Sequence, residues 1–200
     1  MHIQVIQGRT SDPRVLKEQL QRWVDEVAPG AVGALGSTFG VTAEGDLIGI
    51  ARFESAEAAY NNSNRPEQGD WWSVTEKLFD GPVTFHDSTE VDQFLRGGSD
   101  DAGFVQVMQG RATDTAKARA LESRMVDALE QNRPDVIGSI RAWYGDGAFT
   151  EFVYFTSEAA ARDGEAKPLP PEEAALMGEL QQVMSIDRFY DLTDPWLFTV

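Results

Sequence analysis

Two neighbouring tryptophans, a cluster of asparagines and one internal histidine are the residues of this chain best suited to chemistry. Trp71 and Trp72 are adjacent. On a helix they point about 100° apart, so one can pack on a sheet while the other lines a pocket mouth and holds a flat ring. Asn61, Asn62, Asn64 and Arg65 come just before them. Such a polar loop can orient the oxygen substituents of an acidic or phenolic ligand; asparagine is also favoured wherever a helix ends in a loop. His86 follows. Imidazole titrates near neutrality and binds iron, so His86 can act as a base or as a haem ligand, or stand as a partly exposed strand residue. The other histidine, His2, falls where a chain end is expected to fray.

These residues sit in a chain that repeats itself. Ile3-Gln4-Val5-Ile6-Gln7-Gly8-Arg9 returns as Val105-Gln106-Val107-Met108-Gln109-Gly110-Arg111, and Gln4 to Gln106 is a shift of 102. The same shift carries Gly36-Ser37 onto Gly138-Ser139 and Phe53 onto Phe155. A register held over some fifty residues marks a duplicated domain. Under it Trp71 and Trp72 match Glu173 and Ala174; the last strands have drifted by two, to a shift of 104, so His86 matches Tyr190. Gln4 and Gln106 share a sheet face with Ile6 and Met108; buried there, their amides need partners, at the interface of the repeats or in a pocket. Arg9 and Arg111 are expected to pair with acids or cap loops. Arg141, Trp143, Tyr144 and Tyr154 make the second half richer in polar aromatics, as a second pocket or as an outer sheet surface.

Each half reads as strand, helix, strand, strand, helix, strand. Asp12-Pro13 is a helix start, because Asp accepts from free N–H groups and Pro is pre-set for the first helical position. Val15, Leu16, Leu20, Trp23, Val24 and Val27 fall on one helical face. Ala43-Glu44-Gly45-Asp46 is a hairpin turn, matched by Gly145-Asp146-Gly147. Ser55 caps a short helix, Asn61 to Gly69 reads as an irregular connection, and Asp70 to Phe79 as a further helix. The expected division is 1–95, a flexible connector at 96–103, and 104–200. A β-α-β-β-α-β unit is ferredoxin-like, with one sheet face left uncovered. The expected fold is therefore α+β: two tandem ferredoxin-like repeats packed sheet to sheet as an intramolecular pseudo-dimeric α/β barrel.

Composition narrows the function. The net charge of −16 disfavours nucleic acid and anionic membrane surfaces, both of which are met by Lys and Arg. With no cysteine, disulfides, thiolate catalysis and iron–sulfur clusters are excluded. No stretch approaches the ~20 apolar residues of a membrane helix, and no secretory signal is seen, so a cytoplasmic location is expected. There is no G-x-S-x-G elbow, Gly-rich phosphate loop or H-E-x-x-H motif.

The order of elements, with Asn64-Arg65-Pro66, Trp71-Trp72, Leu78-Phe79-Asp80-Gly81 and Val83-Thr84-Phe85-His86-Asp87, resembles the dimeric α/β-barrel superfamily. Within it, the pattern is similar to the antibiotic-biosynthesis-monooxygenase-like proteins. That resemblance implies a pocket between the helices and the helix-covered sheet face, and flat aromatic substrates. The family's oxygenases hold a phenol or quinol with Asn and Trp, and its haem degraders use Asn, Trp and a His ligand; the first strand here offers Gln4 and Gln106 rather than Asn. The resulting expectation is a small-molecule-binding protein acting as a cofactor-free monooxygenase-like enzyme on a small aromatic substrate. Trp71 or Trp72 would hold the ring, Asn62, Asn64 and Arg65 would orient its oxygens, and His86 would assist proton removal. The alternatives are a non-catalytic ligand-binding or stress-related protein, or a haem-binding protein.

Overall fold

A computed structural model describes residues 1–199. The chain divides into two compact units, Met1–Val91 with Asp194–Val200, and Asp92–Thr193. The first runs β1 (His2–Arg9), α1 (Pro13–Arg22), β2 (Ala34–Val41), β3 (Asp46–Phe53), α2 (Ala56–Ser63), α3 (Pro66–Thr75) and β4 (Thr84–Ser88). Next come β5 (Val91–Leu95), β6 (Phe104–Ala112), α4 (Thr115–Asn132), β7 (Val136–Trp143), β8 (Ala148–Phe155), α5 (Glu158–Glu165), α6 (Pro171–Leu180), β9 (Met184–Leu192) and β10 (Trp196–Phe198). The strands form two five-stranded sheets, ordered β10-β2-β3-β1-β4 and β5-β7-β8-β6-β9.

Four strands of each sheet, β2-β3-β1-β4 and β7-β8-β6-β9, follow the ferredoxin-like order expected from the duplication. The fifth strands were not expected. Residues 91–95 join the second sheet, and the short segment at 196–198 pairs with β2 of the first, Trp196 opposite Phe39 and Phe198 opposite Ser37. The repeat boundaries read from sequence are therefore crossed at both ends. Strands of five and three residues carry too little periodicity to be recognised, and their partners are distant in sequence.

Local chemistry explains the elements. The Asp12 carboxylate accepts from Val15 N at 3.1 Å and Asp114 from Lys117 N at 2.9 Å, satisfying donors left open at the starts of α1 and α4. Ser55 and Ser157 do the same for α2 and α5. Asn61–Gly69 is not an irregular connection. Helix α2 runs to Ser63, Arg65 is extended as a residue before proline must be, and Pro66 opens α3. Beyond Arg22, the first helix widens into a π-helical turn, Trp23–Val27, which keeps both Leu20 and Trp23 toward the sheet.

In the first unit Leu16 and Leu20 of α1 pack with Phe39, Leu47, Trp196 and Phe198. In the second, Ala118 and Leu121 of α4 pack with Trp143, Phe149, Leu176 and Leu180. Pairing of Gln4 with Ala51 and of Ile6 with Gly49 puts Gln4, Ile6, Phe39, Ala51 and Phe53 on the face that the helices cover.

Candidate functional site

Between that face and the helices the first unit is hollow. A cavity of about 90 Å³ adjoins a second recess of about 70 Å³. Gln4, Ile6, Leu20, Phe39, Gln68 and Trp71 line both, so they are two compartments of one cleft. The larger is closed by Trp23, Phe53, Phe198, Ser37 and Asn62, the smaller by Trp72, Phe79 and Phe85.

Its wall is aromatic. Trp23 meets Trp71 edge to face at 6.5 Å between ring centroids, Trp71 lies 6.1 Å from Trp72, and Trp72 meets Phe85 edge to face at 5.2 Å. Such pairs are a favoured packing for rings and present flat faces to a flat guest. The indole N–H groups are anchored: Trp71 donates to Gln19 O at 3.0 Å and Trp23 to Gln68 Oε1 at 2.6 Å. The backbone leaves room where it must. A Cβ added at Gly49 would stand 1.9 Å from Phe39 Cδ1, so the ring lies flat on β3 only because that position is glycine.

Polar groups are few, and several are held, while the buried Nε of Arg52 in the wall of the larger compartment has no partner among the described residues. Gln4 Nε2 donates to Asp87 Oδ1 at 3.2 Å, and His2 Nε2 pairs with the same oxygen at 2.9 Å. Asn62 Nδ2 donates to Gln68 Oε1 at 3.3 Å, while Asn62 Oδ1 accepts from Arg65 Nη1 at 3.2 Å.

The structure sorts the residues proposed from sequence. Asn62, Trp71 and Trp72 are brought together at the cleft. Arg65 stands behind Asn62; it donates also to Val27 O at 3.0 Å, and its guanidinium fills the space a side chain at Gly30 would take. Asn64 is exposed and closes α2 by donating to Tyr60 O at 2.7 Å. His86 pairs with Val5 across β1–β4, whereas Ile6 pairs with Phe85. Strand side chains alternate, so Phe85 faces the cleft and His86 the opposite side of the sheet. A catalytic His86 is thus out of reach of this cleft. His2 is not frayed: it lies in β1 and is 7% exposed.

Two matches between the repeats shift. Pro66 and Pro171 open equivalent helices, a shift of 105, so Trp71 corresponds to Leu176 and Trp72 to Met177, not to Glu173 and Ala174. Three extra residues between α5 and α6 displaced the register. Val5 opposite His86 and Val107 opposite Tyr190 confirm the histidine–tyrosine match. Arg141, Trp143 and Tyr154 are 3%, 2% and 0% exposed and so are no outer surface.

Trp23, Gln68, Ser37, Phe53 and Phe198 escaped the sequence reading. Trp23 had been placed on the inner helix face, which was a usable signal. Phe198 arrives from the end of the chain, where nothing local announces it.

A haem does not fit these residues. The two compartments are on the scale of the ~150 Å³ that holds a single benzene ring, and His86 is on the wrong face. Among the described residues, no group of three His, Asp or Glu side chains could hold a metal ion, and no helix is long and apolar enough to cross a membrane.

No family model and no curated protein sequence matches the chain. Solved structures do. A candidate monooxygenase from Lactobacillus acidophilus superposes with a TM-score of 0.73 at 15% identity, covering 99% of this chain and 96% of that one. One from Fusobacterium nucleatum gives 0.69 at 9% identity, covering 100% and 91%. An anthrone oxidase-like protein gives 0.64 at 12% identity, again covering 100% and 91%. The chain therefore has the tandem α+β fold of monooxygenase-like proteins over its whole length; at these identities the likeness is one of fold.

Proposed function

We propose that the first unit binds a small aromatic molecule in the cleft walled by Trp23, Trp71 and Trp72, and that the protein acts on it as a cofactor-free monooxygenase-like enzyme of the cytoplasm. The observation that carries this reading is the aromatic cleft with a few fixed amides at its edges, the usual composition of a small-molecule site. The fold shared with candidate monooxygenases and an anthrone oxidase-like protein supports the reaction class. In this reading Trp71 and Trp72 hold the ring, Asn62 contacts its substituents, and Arg65 acts through Asn62. An electron-rich ring would react with dissolved oxygen, the protein supplying orientation and exclusion of water.

Size sets the guest. Neither compartment alone matches the ~150 Å³ that takes a benzene ring, but the two joined do. A one-ring ligand therefore spans both compartments, along the Trp71 side chain that borders each. A second reading, a ligand-binding protein without turnover, is favoured by the cleft lining, which holds no carboxylate and no imidazole among the described residues.

The test is a thermal-shift screen of phenols and quinols against wild type and Trp71→Ala, followed by oxygen uptake with each ligand found. Stabilisation of wild type alone, with oxygen consumed in step with product, supports the enzyme. Stabilisation without uptake supports the binder. No shift by any one-ring compound would end both.

A further inference from the structure

The two glutamines of the cleft are locked in opposite senses. Asp87 only accepts hydrogen bonds when ionised, so the end of Gln4 that meets it must be the NH₂ group. His2 holds the same Asp87 oxygen from the other side. Gln4 Oε1 is then the end left for the cleft, and among the described residues nothing donates to it. Gln68 is turned the other way. Its Oε1 receives the indole N–H of Trp23 at 2.6 Å and the Asn62 amide at 3.3 Å. An indole N–H can only donate, so the oxygen must face Trp23 and the NH₂ group is the end left over. Gln68 Nε2 makes no hydrogen bond among the described residues. Both glutamines line both compartments.

We infer that Gln4 and Gln68 determine specificity: the cleft takes an aromatic ring that presents a hydroxyl donor to Gln4 and an oxygen acceptor to Gln68, with Asp87 and Trp23 as positioning residues. This rests on the proposed binding of an aromatic guest and narrows it. A buried amide left without its partner disfavours the wrong guest more than a made bond rewards the right one. A ring with donor and acceptor is therefore chosen over one that has lost either.

The test uses 4-hydroxybenzaldehyde, its methyl ether 4-methoxybenzaldehyde, and 4-ethylphenol, with binding read from quenching of tryptophan fluorescence. Wild type should bind the hydroxyaldehyde about 10-fold tighter than the ether, which lacks the donor, and than the ethylphenol, which lacks the acceptor. Asp87→Asn frees Gln4 to turn, because asparagine can donate as well as accept. That variant should bind the hydroxyaldehyde and the ether within about threefold while keeping the loss with ethylphenol. The Asp87 side chain is 53% exposed on an edge strand, so the substitution leaves the fold intact. Trp23→Phe removes the shorter of the two bonds that hold Gln68 Oε1 and should reduce the ethylphenol penalty while leaving that of the ether unchanged. Equal binding of all three to wild type would overturn the assignment and leave the cleft as an aromatic site. An Asp87→Asn preference identical to wild type would overturn the positioning role. Binding of none would overturn this inference together with the reading beneath it.

Discussion

Phe39 and Arg141 hold the same place in the repeat, as do Gly49 and Glu151, and Leu20 and Glu122. In the first unit this trio is apolar: Leu20 and Phe39 border the cleft, and Gly49 lies against the Phe39 ring. In the second it is an ion network. Arg141 donates to Glu122 through both terminal nitrogens, at 2.7 and 2.6 Å, and to Glu151 at 2.6 Å, and Ser139 donates to Glu151 at 2.7 Å. The guanidinium also lies 5.1 Å from the centre of the Trp143 ring and 4.9 Å from that of Phe149. Burial alone would lower the pKa of Arg141; the carboxylates of Glu151 and Glu122 more than offset this and hold it above the ordinary value. One copy of the duplicated domain thus keeps an apolar hollow between α1 and its sheet, while the other fills the same layer with interlocked charge. Ala51 and Val153 differ in the same sense. The lesson is that a repeat preserves a scaffold while a few positions behind its first helix decide whether that layer is hollow or filled.

Breaking the network gives the largest effect. Arg141→Met leaves Glu122 and Glu151 buried without a counter-charge and should cost about 3–5 kcal/mol in urea unfolding. Replacing the whole trio by its first-unit counterparts, Arg141→Phe with Glu122→Leu and Glu151→Gly, removes every charge at once. Buried ion networks exchange for apolar residues at little cost, so that variant should stay within about 2 kcal/mol of wild type. If the triple variant is instead as unstable as Arg141→Met, the network stabilises in its own right and the comparison of hollow with filler fails.

The next effect tests the hollow. Gly49→Ala sets a methyl group into the Phe39 ring. The ring must move into the cleft, at a cost of about 1–3 kcal/mol. One-ring ligands should then lose their thermal shift, whereas Gly69→Ala, inside α3 and meeting nothing within 4 Å, should raise stability by up to about 1 kcal/mol and leave the ligand shift unchanged. Retention of the ligand shift in Gly49→Ala would place the ligand elsewhere.

Much of this was legible in the sequence, for definite reasons. The repeat, the Asp12 and Asp114 caps and the hairpins at Gly45 and Gly147 are local signals, and local signals are what a sequence displays. Asn62, Trp71 and Trp72 stood out as a polar loop beside paired aromatics, and they come together at the cleft. What stayed hidden depended on registers set far away. His86 was misassigned because the alternation of one short edge strand decides its face. Tyr154 and Arg141 stood open between a pocket and an outer surface because nothing local says that a polar aromatic or a guanidinium will be buried. The Trp71–Leu176 match was lost to three residues in a connector.

The smallest effect is the most direct test of charge in the second unit. Burial raises the pKa of Glu122 above its ordinary 4.5; Arg141 pulls it down, Glu151 and Asp92 push it up, and the net shift is upward. A carboxyl whose folded pKa is raised favours the fold when protonated. Its contribution is full below the unfolded value near 4.5 and is lost as pH rises through the folded pKa. Glu122→Gln fixes the neutral form. Its melting temperature should therefore equal that of wild type near pH 4.5 and stand above it at pH 7 to 8, the gap opening through the window above 4.5. A gap of opposite sign at neutral pH would mean that the ionised pair with Arg141 outweighs the burial of Glu122. In that case the second unit would be filled with charge because charge stabilises it there, and not merely because no ligand has to fit.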